Sequence, residues 1–217
     1  MQNFLEGLQS IPTGVWLCLA LFLIVATMII TKAKPSSNNS PMNTKVLTFG
    51  GMCMALSFVL SYIKLFEMPQ GGSVTAASML PILLFAFVAG PSPGLIVGVA
   101  YGFLQFLQGG YAAHWVSILL DYPIAFGVLG LIAFAPKSIK SLEVRFVVGI
   151  FIAISTRFIC HVLSGVAFFS EGVANPWVSS ITYNITYLSA ELLITIVIGI
   201  LLIRTPVYKT MKASFNR

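Results

Sequence analysis

A chain of 217 residues in which 58% are hydrophobic and only 8% charged is not a soluble globular domain, where roughly 25% of residues are charged. The formal net charge is +6, but the basic residues sit in connecting segments and near the C-terminus. There they orient a membrane protein and do not build a nucleic-acid face, so no nucleic acid is expected as a partner. The apolar runs are long and lack period-two alternation, which excludes a β-barrel and points to helices in a lipid bilayer.

Seven spans are predicted. The first covers 14–31 (GVWLCLALFLIVATMIIT). The residues before it carry Glu6 and no lysine or arginine, so the basic start of a cleaved signal peptide is missing and a retained helix is expected. A polar linker, 35–43 (PSSNNSPMN), follows. The second span is about 46–63, and Lys64 to Gly72 form a connecting loop with Pro69 and two glycines. The third, about 74–89, ends in the turn PSPG at 91–94. That turn is too short for anything but an antiparallel hairpin with the fourth span, 94–107. A short uncharged connection, 108–114, leads to the fifth span at 115–135. The basic loop PKSIKSLEVR then leads to the sixth at 146–168. The loop 169–178 precedes the seventh span, 180–203, and a basic tail closes the chain.

The expected architecture is an all-α membrane protein in three parts. Residues 1–44 are an extra N-terminal helix with its linker, 45–205 a six-helix membrane domain, and 206–217 a basic tail. Lys32, Lys34, Lys45, Lys137, Lys140, Arg145, Arg204, Lys209, Lys212 and Arg217 are ten of the twelve basic residues. With seven spans they all fall on one side, which the positive-inside rule makes cytoplasmic. The N-terminus is then outside and the C-terminus inside.

Chemistry is expected where polar residues interrupt the apolar runs. Asp121 is the only aspartate in the chain and lies inside the fifth span, followed at once by Tyr122 and Pro123. A carboxylate there costs several kcal/mol unless a cation, a polar cavity or a ligand receives it. Arg157 and His161 lie one turn apart on one face of the sixth span, and Gly165 continues that face. Asn184 and Glu191 interrupt the seventh. Arg157 and Glu191 have opposite charge at similar depth, so Arg157 either pairs with Glu191 or meets a ligand. His161 and Asn184 can equally be bonded within the helix bundle. Tyr111, Tyr122, Trp115, Phe169 and Trp177 supply an aromatic belt or the walls of a pocket. An outward pocket with one carboxylate and several rings suits a small, flat organic cation, and Gly165 would let a ring approach the backbone.

Gly51 and Ala55 form a small-xxx-small face for a helix of this chain or of a partner. The three cysteines are scattered, and no metal-ligand spacing appears. No phosphate loop is present, and neither is an HExxH or GxGD motif. No cofactor and no enzyme activity are therefore expected, and energy for any transport would come from a partner.

At these residues the chain resembles the thiamine-specific substrate-binding (S) components of energy-coupling factor transporters. The stretches that carry the resemblance are GGSVTAASMLPILL (71–84), LLDYPIAFGVLG (119–130), RFICHVLSGVAFF (157–169) and NPWVSSITYNITYLSAE (175–191), and the similarity spans about 45–205. The resemblance implies a six-helix bundle in the bacterial cell membrane with an outward pocket for thiamine. It also implies partners: a transmembrane coupling protein with two ATPase subunits. It assigns Asp121 to the cationic vitamin, with Tyr122, His161, Arg157, Tyr111 and Asn184 around it. Gly165 and Phe169 line the ring slot, and Gly51 and Ala55 meet the coupling protein. The chain departs from that pattern at Gly72, where some members have a stacking tryptophan. It departs also at Ser179, where a tyrosine is common, and at Phe169, a tryptophan elsewhere. The rival expectations are a self-sufficient secondary transporter of another organic cation or a thiamine precursor, and a non-transporting scaffold subunit.

Overall fold

The computed structural model describes residues 44–215. The predicted first span and its linker lie outside the described residues. The described chain is almost wholly helical. Helix α1 spans Thr44–Ser61, α2 Leu80–Ala89, α3 Pro91–Leu107, α4 Trp115–Phe134, α5 Leu142–Phe168, α6 Pro176–Arg204 and α7 Pro206–Phe215. Among the described residues α1, α4, α5 and α6 are long and apolar enough to cross a membrane, while α2 and α3 are shorter. Leu47, Met52, Leu56 and Val59 of α1 and Leu193, Val197 and Leu201 of α6 are exposed. An outward row of large apolar side chains is what lipid requires and water does not tolerate in bulk.

Helix α2 is the centre of the bundle. Nine of its ten residues are buried, as expected of a helix that is apolar on every side. It is shorter than the predicted third span, because residues 73–79 are not helical. Lys64–Glu67 (β1) and Ser73–Thr75 (β2) instead form an antiparallel hairpin, with a single turn at Pro69–Gly71 between them. Thr75 is withdrawn from helix by its bonds to Glu191: its N–H and its hydroxyl each lie 2.6 Å from Glu191 Oε1.

Caps set the helix starts. Asn175 Oδ1 accepts from the Val178 N–H at 3.2 Å, and Pro176 occupies the first turn. Helix α6 therefore begins four residues before the predicted span. Ser141 Oγ does the same for α5, accepting from the Val144 N–H at 3.3 Å. His114 caps α4 through Nδ1, which accepts from the Val116 N–H at 3.2 Å.

Close backbone contact helps to join α3 to α2 and α4. A Cβ on Gly94 would come 2.5 Å from that of Ala86, one on Gly98 would strike the Phe126 carbonyl, and one on Gly102 would lie 2.5 Å from the Tyr122 carbonyl. Spaced by four, these glycines make one bare face of α3. The other small face, Gly51 and Ala55, is exposed, and nothing lies within 4 Å of a Cβ placed on Gly51. The predicted basic tail is helical through Phe215. Tyr208 and Met211 of α7 are buried, while Lys209 and Lys212 point outward. Phe215 meets Phe49 and Phe85 edge-on, at 5.3 and 6.1 Å.

Candidate substrate-binding site

Pro123 breaks the regular α4 ladder because it has no N–H to donate. The helix answers with a π-helical turn over Leu120–Ile124, closed by the Ala125 N–H donating to the Leu120 carbonyl. Such turns widen a helix and turn a side chain out of the regular series. The residues in it include Asp121 and Tyr122. Gly102 of α3 makes room for the widened backbone behind them.

Asp121 is met by α5 from behind. His161 Nδ1 lies 2.9 Å from Asp121 Oδ1, and Ser164 donates to Oδ2 at 2.5 Å. A proton on Nδ1 directed at the carboxylate leaves Nε2 of a neutral ring as an acceptor. That atom is buried, with no partner among the described residues. Ser164 was not singled out by sequence. It lies three residues beyond His161, so the helical period that joined Arg157, His161 and Gly165 would have reached it.

Asp121 and His161 line a cavity of about 260 Å³, with Ser164 buried behind them. That volume is just below the roughly 300–1,000 Å³ of sites for drug-sized ligands, so it suits one small molecule. All eight sequence-derived candidates line it: Tyr111, Asp121, Tyr122, Arg157, His161, Gly165, Phe169 and Asn184. Tyr122 donates to the Tyr111 carbonyl at 3.1 Å, and the Tyr111 ring lies 5.8 Å from that of Phe169. The rim is therefore aromatic, and its tyrosines are held by each other. Deeper in, Asn184 donates to the Ser180 carbonyl at 2.9 Å and accepts from the Tyr187 hydroxyl at 3.0 Å. Its amide is thus partly engaged within α6 itself.

One of the two alternatives for Arg157 closes. Arg157 and Glu191 form no ion pair; those among the described residues are Lys64–Glu67, His161–Asp121 and Arg204–Glu143. The Arg157 guanidinium instead sits 3.7 Å from the centroid of the Phe126 ring, a cation–π contact in the cavity wall. Glu191 turns away to hold Thr75. Gly165 is small for a second reason besides ligand approach: a Cβ there would strike Ser180 Oγ, which donates to the Val162 carbonyl at 2.9 Å. The glycine thus lets α5 and α6 meet. The departure at Gly72 also has a physical reason. A Cβ there would lie 2.7 Å from the Tyr183 hydroxyl and 3.0 Å from the Tyr187 ring, so tyrosines of α6 already fill that space.

A family model described as thiamine transporter protein matches residues 47–210. The chain belongs to the thiamine transporter protein family. This family comprises integral membrane transporters and not enzymes. Among curated relatives, the thiamine transporter ThiT of Bacillus subtilis strain 168 is 35% identical over 152 residues, which cover 64% of this chain and 79% of that protein. ThiT of Lacticaseibacillus paracasei is 28% identical over 174 residues, 70% of this chain and 84% of that one. The solved structure of ThiT from Listeria monocytogenes matches with a TM-score of 0.60. It covers 78% of this chain and 96% of the other at 21% identity, a likeness of fold. The family match includes α1 to α6 and the first turn of α7, and excludes the predicted N-terminal span.

Proposed function

We propose that this chain is the thiamine-binding S component of an ATP-driven vitamin importer. The observation that carries the reading is the lone Asp121, fixed from behind by His161 and Ser164 and facing a small aromatic-rimmed cavity. The thiazolium of thiamine carries a fixed positive charge, and Asp121 supplies the countercharge. Phe169, Tyr111 and Tyr122 flank the rings, and His161 and Asn184 offer hydrogen bonds to the aminopyrimidine. Arg157 stays on Phe126 as the polar floor. In this reading 45–205 is the binding domain, the cavity opens outward, and seven spans put the basic α7 on the cytoplasmic side. No nucleotide-binding motif is present in the chain, so the energy comes from two ATPase subunits through a coupling protein. Gly51 and Ala55, bare on the outer face of α1, suit close contact with a helix of that protein.

The test is calorimetric titration of thiamine into the detergent-purified chain, checked by tryptophan fluorescence. Saturable binding at one site without ATPase subunits is expected. No heat and no quenching in folded protein would remove thiamine as the ligand. Uptake by the chain alone in liposomes, driven by an ion gradient, would replace the importer with a secondary transporter.

A further inference from the structure

The last turn of α1 is joined to α3 by a polar seam. Tyr101 is buried, and its hydroxyl donates to the Ser57 carbonyl at 3.1 Å. One turn further along α3, Gln105 Nε2 donates to Ser61 Oγ at 2.9 Å and to Gln108 Oε1 at 2.8 Å. Ser61 is buried, and its single proton has two acceptors in reach: the Phe58 carbonyl at 2.7 Å and Gln108 Oε1 at 2.9 Å. Whichever takes it, Ser61 Oγ is left to accept from Gln105. The hydroxyl therefore fixes which way the Gln105 amide is turned, with its nitrogen toward α1.

Both Nε2 protons of Gln105 are thereby engaged, while its Oε1 meets no donor among the described residues. Gln105 also lines the cavity. An amide held by its nitrogen thus offers a free acceptor to the molecule that fills the site, and an acceptor recognises an N–H or O–H. Thiamine has two such donors, the amine of its aminopyrimidine and the hydroxyl at the end of its side arm. Gln105 reaches the cavity from α3, which packs on α1, α2 and α4, whereas His161 and Asn184 reach it from α5 and α6, which pack on each other. The aminopyrimidine and the hydroxyethyl arm leave the thiazolium from separate ring atoms and diverge. With the aminopyrimidine on the α5–α6 side, the hydroxyl is the donor directed at α3.

We propose that Gln105 is a specificity-determining residue whose Oε1 accepts a hydrogen bond from the side-arm hydroxyl of thiamine. Ser61 is its positioning residue, acting only through the amide it holds. The proposal rests on the cavity being the thiamine site, and it adds to Asp121, which reads charge, a group that reads a neutral alcohol.

The test is a calorimetric cycle with the full chain, wild type and Gln105→Met, against thiamine and the analogue that carries ethyl in place of hydroxyethyl. Methionine keeps the length of the side chain and removes the acceptor. The wild type should bind the ethyl analogue about fivefold more weakly than thiamine, the worth of one neutral hydrogen bond. Gln105→Met should lose about fivefold for thiamine and nothing for the analogue. A residue that merely braces α1 against α3 would weaken both ligands equally, and that result overturns the assignment. The 4′-deamino analogue is the third ligand: if Gln105→Met leaves its affinity unchanged while weakening the ethyl analogue, Gln105 reads the amine and the hydroxyl assignment falls. Ser61→Ala frees the amide to turn and keeps its oxygen, so it should weaken thiamine by about twofold and spare the ethyl analogue, since only part of one bond is lost. That variant decides the matter should Gln105→Met not yield folded protein, and equal losses for both ligands again overturn the proposal. Thiamine binding with no preference for hydroxyl over ethyl in the wild type removes Gln105 alone. No thiamine binding by the folded wild type removes the ligand and this contact together.

Discussion

Asp121 and Glu191 are both carboxylates inside a helical membrane bundle, yet they are built in for different ends. Both oxygens of Asp121 are held by α5, and the side chain still lines the cavity, 14% exposed. Glu191 is 4% exposed, lies outside the cavity wall, and spends one oxygen on the base of the hairpin. A carboxylate fixed from behind and open in front is available to a ligand. One closed on every side fixes a chain segment that has no other way to satisfy its backbone. The buried charge alone does not separate the two cases; the direction of the holding bonds does.

Removing each charge should break the comparison in opposite ways. Asp121→Asn keeps an oxygen for the His161 N–H and an amide for the Ser164 hydroxyl, so the fold is retained while the charge is lost. Loss of one partner of a desolvated charge pair costs about 2–5 kcal/mol. We expect thiamine affinity to fall about 100-fold or more by calorimetry, with little change in melting temperature. Unchanged affinity would take Asp121 out of the site.

Glu191→Leu should act on stability first. It strands the Thr75 N–H in a dry place, where an unsatisfied group costs about 1–3 kcal/mol, while the Thr75 hydroxyl keeps Ser78 Oγ at 2.7 Å. We expect a lower melting temperature in detergent, equivalent to about 2 kcal/mol, and a loss of thiamine affinity below about tenfold. A loss comparable to that of Asp121→Asn would mean that Glu191 reaches the ligand.

The sequence alone led to the helical membrane class, six helices between Thr44 and Arg204, and the eight cavity residues. These follow from hydropathy, from helical spacing along α5, and from a resemblance dense in those stretches. Contacts across helices were not legible. Arg157 and Glu191 share a depth and have opposite signs, but depth says nothing about rotation about the helix axis, and Glu191 faces the hairpin. Thr75 reads as part of an apolar run, because only its distant partner on α6 draws it out of helix. The two small-residue faces make the same point. Gly94, Gly98 and Gly102 pack inside against α2 and α4, while Gly51 is bare, and the spacing is identical in both. Gly98→Leu should therefore abolish folded protein, judged by size-exclusion behaviour. Gly51→Leu should leave thiamine binding untouched and stop uptake in membranes that also hold the coupling protein and its ATPases.

The smallest change expected to register is at Ser164. Its hydroxyl bonds Asp121 Oδ2 at 2.5 Å, and the residue is 1% exposed. Hydrogen bonds to a charged group are worth about 1.5–3 kcal/mol, but Asp121 borders the cavity, and water there can take over part of that bond in Ser164→Ala. The net loss should be near 1 kcal/mol, or about fivefold in Kd, because a water on Oδ2 must leave or be accommodated when the cation arrives, and the carboxylate is less well aimed. The opposite result is informative too. The hydroxyl also withdraws charge from the carboxylate, so tighter binding in Ser164→Ala would show that Ser164 tempers Asp121 and holds the site below its maximum affinity, as a site that must later release its ligand requires.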